Sequence, residues 1–150
     1  MYPNAKASEQ IAVVETIDPV SQGVGSVSSG WVPVKNFHHF MAVVMAGVLG
    51  AAATLDGKIE QATDASGTGA KDVTGRSITQ LTKAGSDDNK QAVINIAPAD
   101  LDLDNSFNHI RLTLTVGAAA SLVAGVLIGL DPRMAPASDN DVSTVDEIVG

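Results

Sequence analysis

In residues 107–116, FNHIRLTLTV, apolar side chains fall on every second position. Ile110, Leu112, Leu114 and Val116 alternate with His109, Arg111, Thr113 and Thr115. Successive side chains of a strand point to opposite faces, so the segment suits a strand with one face in a core and one in water. Residues 54–63 follow the same rule, with Leu55, Gly57 and Ile59 on one side and Asp56, Lys58 and Glu60 on the other. Residues 71–83 and 91–96 return as further strands, separated by the turn sequences DASGTG (64–69) and AGSDDNK (84–90). A meander of hairpins spaced in this way predicts an all-β chain.

Other segments are less clean. Residues 11–17, IAVVETI, are β-branched and lead into Asp18-Pro19, and residues 39–49 are apolar at both parities, as in a strand buried on both faces. In residues 121–130, Gly125 and Gly129 disfavour helix while Val123, Val126 and Ile128 favour strand. The expected fold is a single antiparallel β-sandwich of jelly-roll type over 31–130. It carries two arms poor in apolar residues. The first, 1–30, contains the 11–17 strand and a flexible Gly/Ser linker at 21–30; the second, 131–150, is acidic, with Ser143, Asp146 and Glu147 set to cap a short helical turn.

Composition narrows the function. The formal charge is −8, and no Lys/Arg cluster exists to meet a phosphate backbone, so nucleic acid is not an expected partner. With no cysteine, disulfides, thiolate metal sites and thiol catalysis are unavailable, which suits a chain made in a reducing cytoplasm. Residues 1–10 are polar and lack the apolar stretch of a secretory signal. The apolar stretches 40–55 and 116–130 fall short of the ~20 residues of a spanning helix, and no membrane association is expected.

No catalytic, cofactor or metal constellation emerges. Asp100, Asp102 and Asp104 resemble the start of a calcium loop, but Asn105 and Arg111 stand where that loop needs Gly and Glu. His38 and His39 are adjacent and point apart on a strand, and no Ser lies in a nucleophile elbow. Gly67-Thr68-Gly69-Ala70-Lys71 lacks the end of a phosphate loop and reads as a hairpin turn. Trp31 is expected to plug the core where the body begins. The residues expected to bind a partner lie in the arms: Ile11, Val13, Val14 and Ile17 by strand addition to a neighbouring sheet edge, and Asp139, Asp141, Asp146 and Glu147 by docking on a basic surface.

Several word-like stretches carry a resemblance: Ser29-Gly30-Trp31-Val32, TLDGKIEQATDASGTG at 54–69, Lys71-Asp72, SITQL at 77–81, NKQAVI at 89–94, Phe107-Asn108-His109-Ile110-Arg111, and Pro136-Ala137-Ser138-Asp139. Over roughly 29–142 the chain resembles a family of small proteins encoded among the head and tail structural genes of tailed bacteriophages. The resemblance implies a non-enzymatic virion protein made in the host cytoplasm. Its expected place is the capsid surface, as a decoration or cement protein on the major capsid protein lattice. Self-association, with a trimer favoured, is part of that expectation. It supplies no functional residues. A tail or head–tail connector component is the alternative, and a carbohydrate-binding β-sandwich is a weaker one because exposed aromatics are scarce.

Overall fold

The computed structural model describes residues 3–150. Ten strands follow in chain order: β1 (Ile11–Gln22), β2 (Gly25–Ser28), β3 (Val32–Pro33), β4 (Phe37–Ala46), β5 (Thr54–Ala62), β6 (Lys71–Ser77), β7 (Leu81–Thr82), β8 (Gln91–Ile96), β9 (His109–Gly117) and β10 (Ser121–Pro132). Helix is confined to one turn at Ala7–Gln10 and short 3-10 segments. One sheet has the order β1-β10-β4-β8, and the other β2-β9-β5-β6 with β3 and β7 paired to its inner strands. All pairings are antiparallel. Two sheets whose four-strand paths, β1-β10-β4-β8 and β2-β9-β5-β6, interleave in this way are the jelly-roll sandwich.

The core lies between the two inner faces. From β9 come Ile110, Leu112, Leu114 and Val116, each at most 1% exposed, and opposite them stand Phe40, Ala42, Val44 and Leu127. Phe37 and Phe40 meet edge to face, with ring centroids 5.6 Å apart. Core side chains press close to β10 because two of its inward positions are glycine. A Cβ on Gly125 would lie 2.6 Å from Leu112 Cδ2, and one on Gly129 would lie 2.6 Å from the Phe37 ring. The two glycines that weakened a helical reading of 121–130 are thus the places where core side chains press onto strand backbone.

Several expectations are corrected. The 11–17 strand does not leave the body: β1 continues through Pro19 and pairs along its length with β10 of the same chain. Register shifts at 13/15 and 17/20 make this possible; bulges absorb the proline and change the face presented by the strand. Ala12, Val14 and Ile17 therefore all reach the core, although strict alternation would separate Val14 from Ile17. Nor is 21–30 a free linker. β2 pairs with β9, and Ser26 and Ser28 bond through their hydroxyls to Thr115 and Thr113 at 2.7 and 2.8 Å. Cross-strand hydroxyl pairs replace the apolar contacts that this sequence lacks.

The strand in 39–49 is buried on one face only and ends at Ala46; Met41, Val43 and Met45 line its half-exposed side. The helical turn expected near Ser143 is absent, and a 3-10 turn at Ala137–Asn140 takes the tail's one buried residue, Ala137, into the core instead. Among the described residues no helix is long and apolar enough to cross a membrane.

Candidate functional site

The two outer faces of the sandwich differ in chemistry. On the β2-β9-β5-β6 sheet the outward residues are polar and bonded to one another. Glu60 accepts from Arg111 Nε and from Thr113 Oγ1, both at 2.7 Å, and Lys58 binds Asp72 at 2.6 Å. Burial opposes ionisation of Glu60, but the Thr113 hydroxyl and the Arg111 guanidinium outweigh it and hold the carboxyl below its usual range. Asp100 is similar: burial works against its charge, while the Ala97 amide and the two-pronged Arg76 contact at 2.8 and 3.0 Å hold its pKa down. The carboxylates that resembled a calcium loop are therefore engaged separately, Asp100 by Arg76 and Asp102 by Lys71 and Asn105. Asp87 and Asp88 likewise accept from the backbone amides of Thr82 and Leu49 and pair with Lys90 and Lys83.

Trp31 is not a core plug. It is half-buried at the rim of this polar face, with the Arg111 guanidinium 4.5 Å from its ring centroid. Gly67, at φ +84°, lets the 64–69 turn close onto the indole; a Cβ there would sit 2.5 Å from Nε1. One face of the single tryptophan is thus covered from within the chain.

The outer face of the β1-β10-β4-β8 sheet is apolar. Its rows run Ile11–Leu130–His39, Val13–Ile128–Met41–Asn95 and Thr16–Val126–Val43–Val93. Its titratable groups are His39, paired with Asp131 at 2.9 Å at one end, and Asp18 on β1, whose carboxylate accepts from the Thr16 hydroxyl at 3.1 Å. Leu122 and Val93 are 48% and 55% exposed. Composition did not point to this face, because Met41, Val43 and Met45 read as a second buried side. The absence of charge over residues 40–46 and 121–130 was the available signal.

The residues assigned to partner binding are distributed unevenly. Val14 and Ile17 are core residues, Val13 is half-buried, and Ile11 is 40% exposed beside Leu130. Asp141 meets Val13, but within one chain: its Oδ1 accepts the Val13 N–H at 2.8 Å, and the Val142 N–H donates to the Val13 carbonyl at 2.7 Å. The tail thereby covers the free edge of β1. Asn36 and Asn140 add a side-chain bond at 2.8 Å. Asp139, Asp146 and Glu147 remain exposed. A cleft between 5–10 and 131–136 is lined by Glu9, Gln10, Arg133 and Pro136 and holds no nucleophile–base pair.

The arrangement defines a jelly-roll β-sandwich with one polar, self-satisfied face and one apolar face. No protein-family model matches the chain, and no curated protein matches it. Among solved structures it is similar to infectious bursal disease virus Gx strain (14% identity, 92% of this chain and 38% of that one, TM-score 0.42). It is also similar to Broad Bean Stain Virus (13%, 76% and 63%, TM-score 0.38). A third is TmCBM61, solved in complex with beta-1,4-galactotriose (12%, 77% and 70%, TM-score 0.35). The chain spans well under half of the first of these and a little under two thirds of the second. The strand order alone defines the jelly roll.

Proposed function

We propose that this chain is a non-enzymatic structural protein of a virion, a head decoration protein that seats on the outer surface of a tailed-bacteriophage capsid and braces its lattice. The observation that carries this reading is the outer face of the β1-β10-β4-β8 sheet. A molecule of net charge −8 keeps the rows across β10, β4 and β8 on that surface uncharged apart from the His39–Asp131 pair at one end, with Asp18 the carboxylate beside them on β1, and an exposed apolar face of this kind marks a contact with another protein. The polar face fits the same reading, because its carboxylates are engaged by neighbouring cations and hydroxyls. The sequence resemblance supplies the bacteriophage setting. A tail or head–tail connector protein would use the same surfaces at a much lower copy number.

Electron microscopy of the assembled particle, with and without the gene, tests the proposal. Copies spread over the head lattice, and heads that break at lower temperature without them, are the expected result. A single ring at the portal or along the tail would establish the connector alternative. Absence of the protein from purified particles would overturn the virion reading.

A further inference from the structure

We infer that β8 is a docking edge for a second copy of this chain, joining two sandwiches through an antiparallel β8–β8 pair about a two-fold axis. The inference goes beyond the virion reading and stands without it. A sheet edge exposes unpaired backbone groups, and proteins that stay monomeric blunt such edges with bulges, prolines, charges or short strands. Three of the four edges here are blunted in those ways. β1 carries two register shifts, Pro19 and the tail segment bonded to Val13. β2 is four residues long. β6 has Lys71, Asp72 and Arg76, a register break against β5, and Gly75 at φ +73°.

β8 has none of these. Gln91-Ala92-Val93-Ile94-Asn95-Ile96 contains no charge, no proline and no glycine, and its register against β4 is unbroken over all six residues. The Ala46 N–H donates to the Lys90 carbonyl at 2.9 Å. Bonded and non-bonded pairs alternate along an antiparallel ladder, so residues 92, 94 and 96 bond to β4, and Gln91, Val93 and Asn95 turn their N–H and C=O groups outward. Among the described residues those groups meet no other backbone partner. A shallow groove lies between residues 93–95 and the segment Gly75, Arg76, Ser77 and Ile78 that flanks them.

The sequence selects the occupant. Two β8 strands paired about Val93 place Val93 against Val93, and Gln91 against Asn95 on both sides of it. The three positions with outward backbone groups therefore meet one another, each pair exchanging two bonds. Parity is conserved as well: Gln91, Val93 and Asn95 all lie on the outer face, so valine meets valine and amide meets amide, while Ala92 meets Ile94 on the inner face. A strand of unrelated sequence would gain the backbone bonds without this match. The uncharged edge also lets two chains of net charge −8 approach where repulsion is least. The resulting eight-stranded sheet joins the two apolar outer faces, a two-fold arrangement in contrast to the trimer that the sequence resemblance implies.

Sedimentation equilibrium of the full chain up to roughly 1 mM, together with a cross-linking variant, tests the inference. The wild type is expected to show a monomer–dimer equilibrium. Val93→Pro removes an outward N–H and leaves the β4 ladder intact, and Val93→Lys places a charge at the two-fold axis; each should weaken dimerisation about ten-fold or more. Circular dichroism checks that both fold, and if the proline variant does not, the lysine variant decides. Because the chain has no cysteine, Val93→Cys gives an unambiguous readout. Bonded antiparallel partners lie about 5.5 Å apart at Cα, within reach of a disulfide, so mild oxidation should yield a covalent dimer. Val48→Cys, equally exposed at 54% but on a loop, should not. A wild type that stays monomeric throughout, a trimer, a dimer insensitive to Val93→Lys, or equal cross-linking of the two cysteine variants would overturn the inference.

Discussion

Gly129→Ala adds a single methyl group at a crowded point of the sandwich core. An added Cβ would lie 2.6 Å from Cδ2 and Cε2 of Phe37 and 2.7 Å from its Cγ. The ring has little freedom to retreat: Phe37 is 1% exposed and braced edge-on by Phe40. Either the ring or the β10 backbone must shift by several tenths of an ångström. Overpacking of this kind costs about 1–3 kcal/mol. The alanine returns about 0.4–1 kcal/mol by restricting the unfolded chain. The net loss should be about 1–2 kcal/mol, which for 150 residues lowers the melting temperature by roughly 2–8 °C. Gly23→Ala is the matched control, since an added Cβ there meets nothing within 4 Å, and it should be neutral or slightly stabilising. Chemical denaturation of both variants gives the comparison. Phe37→Leu, alone and combined with Gly129→Ala, completes a double-mutant cycle in which the glycine change should cost less once the ring is gone. A Gly129→Ala protein as stable as the wild type, or a cycle with no coupling, would refute the account of why β10 has glycine at 129.

Three other outcomes are expected. Leu112→Asp, at a position with no exposed surface, should abolish the folded state by several kcal/mol, seen as loss of the strand signal in far-ultraviolet circular dichroism. Stability should be retained at neutral pH and fall as pH drops below the ordinary carboxylate range, because Glu60 and Asp100 have folded-state pKa values below their unfolded ones and their stabilisation is lost as each protonates. Glu60→Gln should flatten that acid limb in urea titrations at stepped pH. Deleting residues 1–22 should leave an insoluble or unfolded product, since it strips β1 from β10, whereas Asp141→Ala should cost only about 1 kcal/mol by leaving the Val13 N–H to water, measured by thermal melting.

Much of the body was legible because one face of each sheet is wet. β9, β5 and β8 sit where strict alternation places them, and Gln91–Ile96 has the ends expected from its turns. The misreadings share a cause, which is that local composition does not encode partners distant in sequence. Ser26 and Ser28 look like linker until Thr113 and Thr115 stand opposite them. Val14 and Ile17 share a face only because β1 bulges against β10. Met41, Val43 and Met45 look buried because they are apolar, yet they line an open surface. The proposed contact surfaces were accordingly sought in the arms, whereas the arms are sewn to the body and the unpartnered features are a sheet face and a sheet edge.

The position of β10 between β1 and β4 governs the order in which the chain can assemble. Ile11 waits for Leu130 and Phe40 for Gly129, while β5 and β6 are hairpin neighbours that can zip early. Through most of synthesis the β1-β10-β4-β8 sheet has an empty slot flanked by two strands, each with a backbone edge toward it. Contacts of such wide separation make folding slow, and the slot accepts any β10 that reaches it, including one from another nascent chain. Refolding yield should therefore fall steeply with concentration, through strand-exchanged oligomers formed before the sandwich closes.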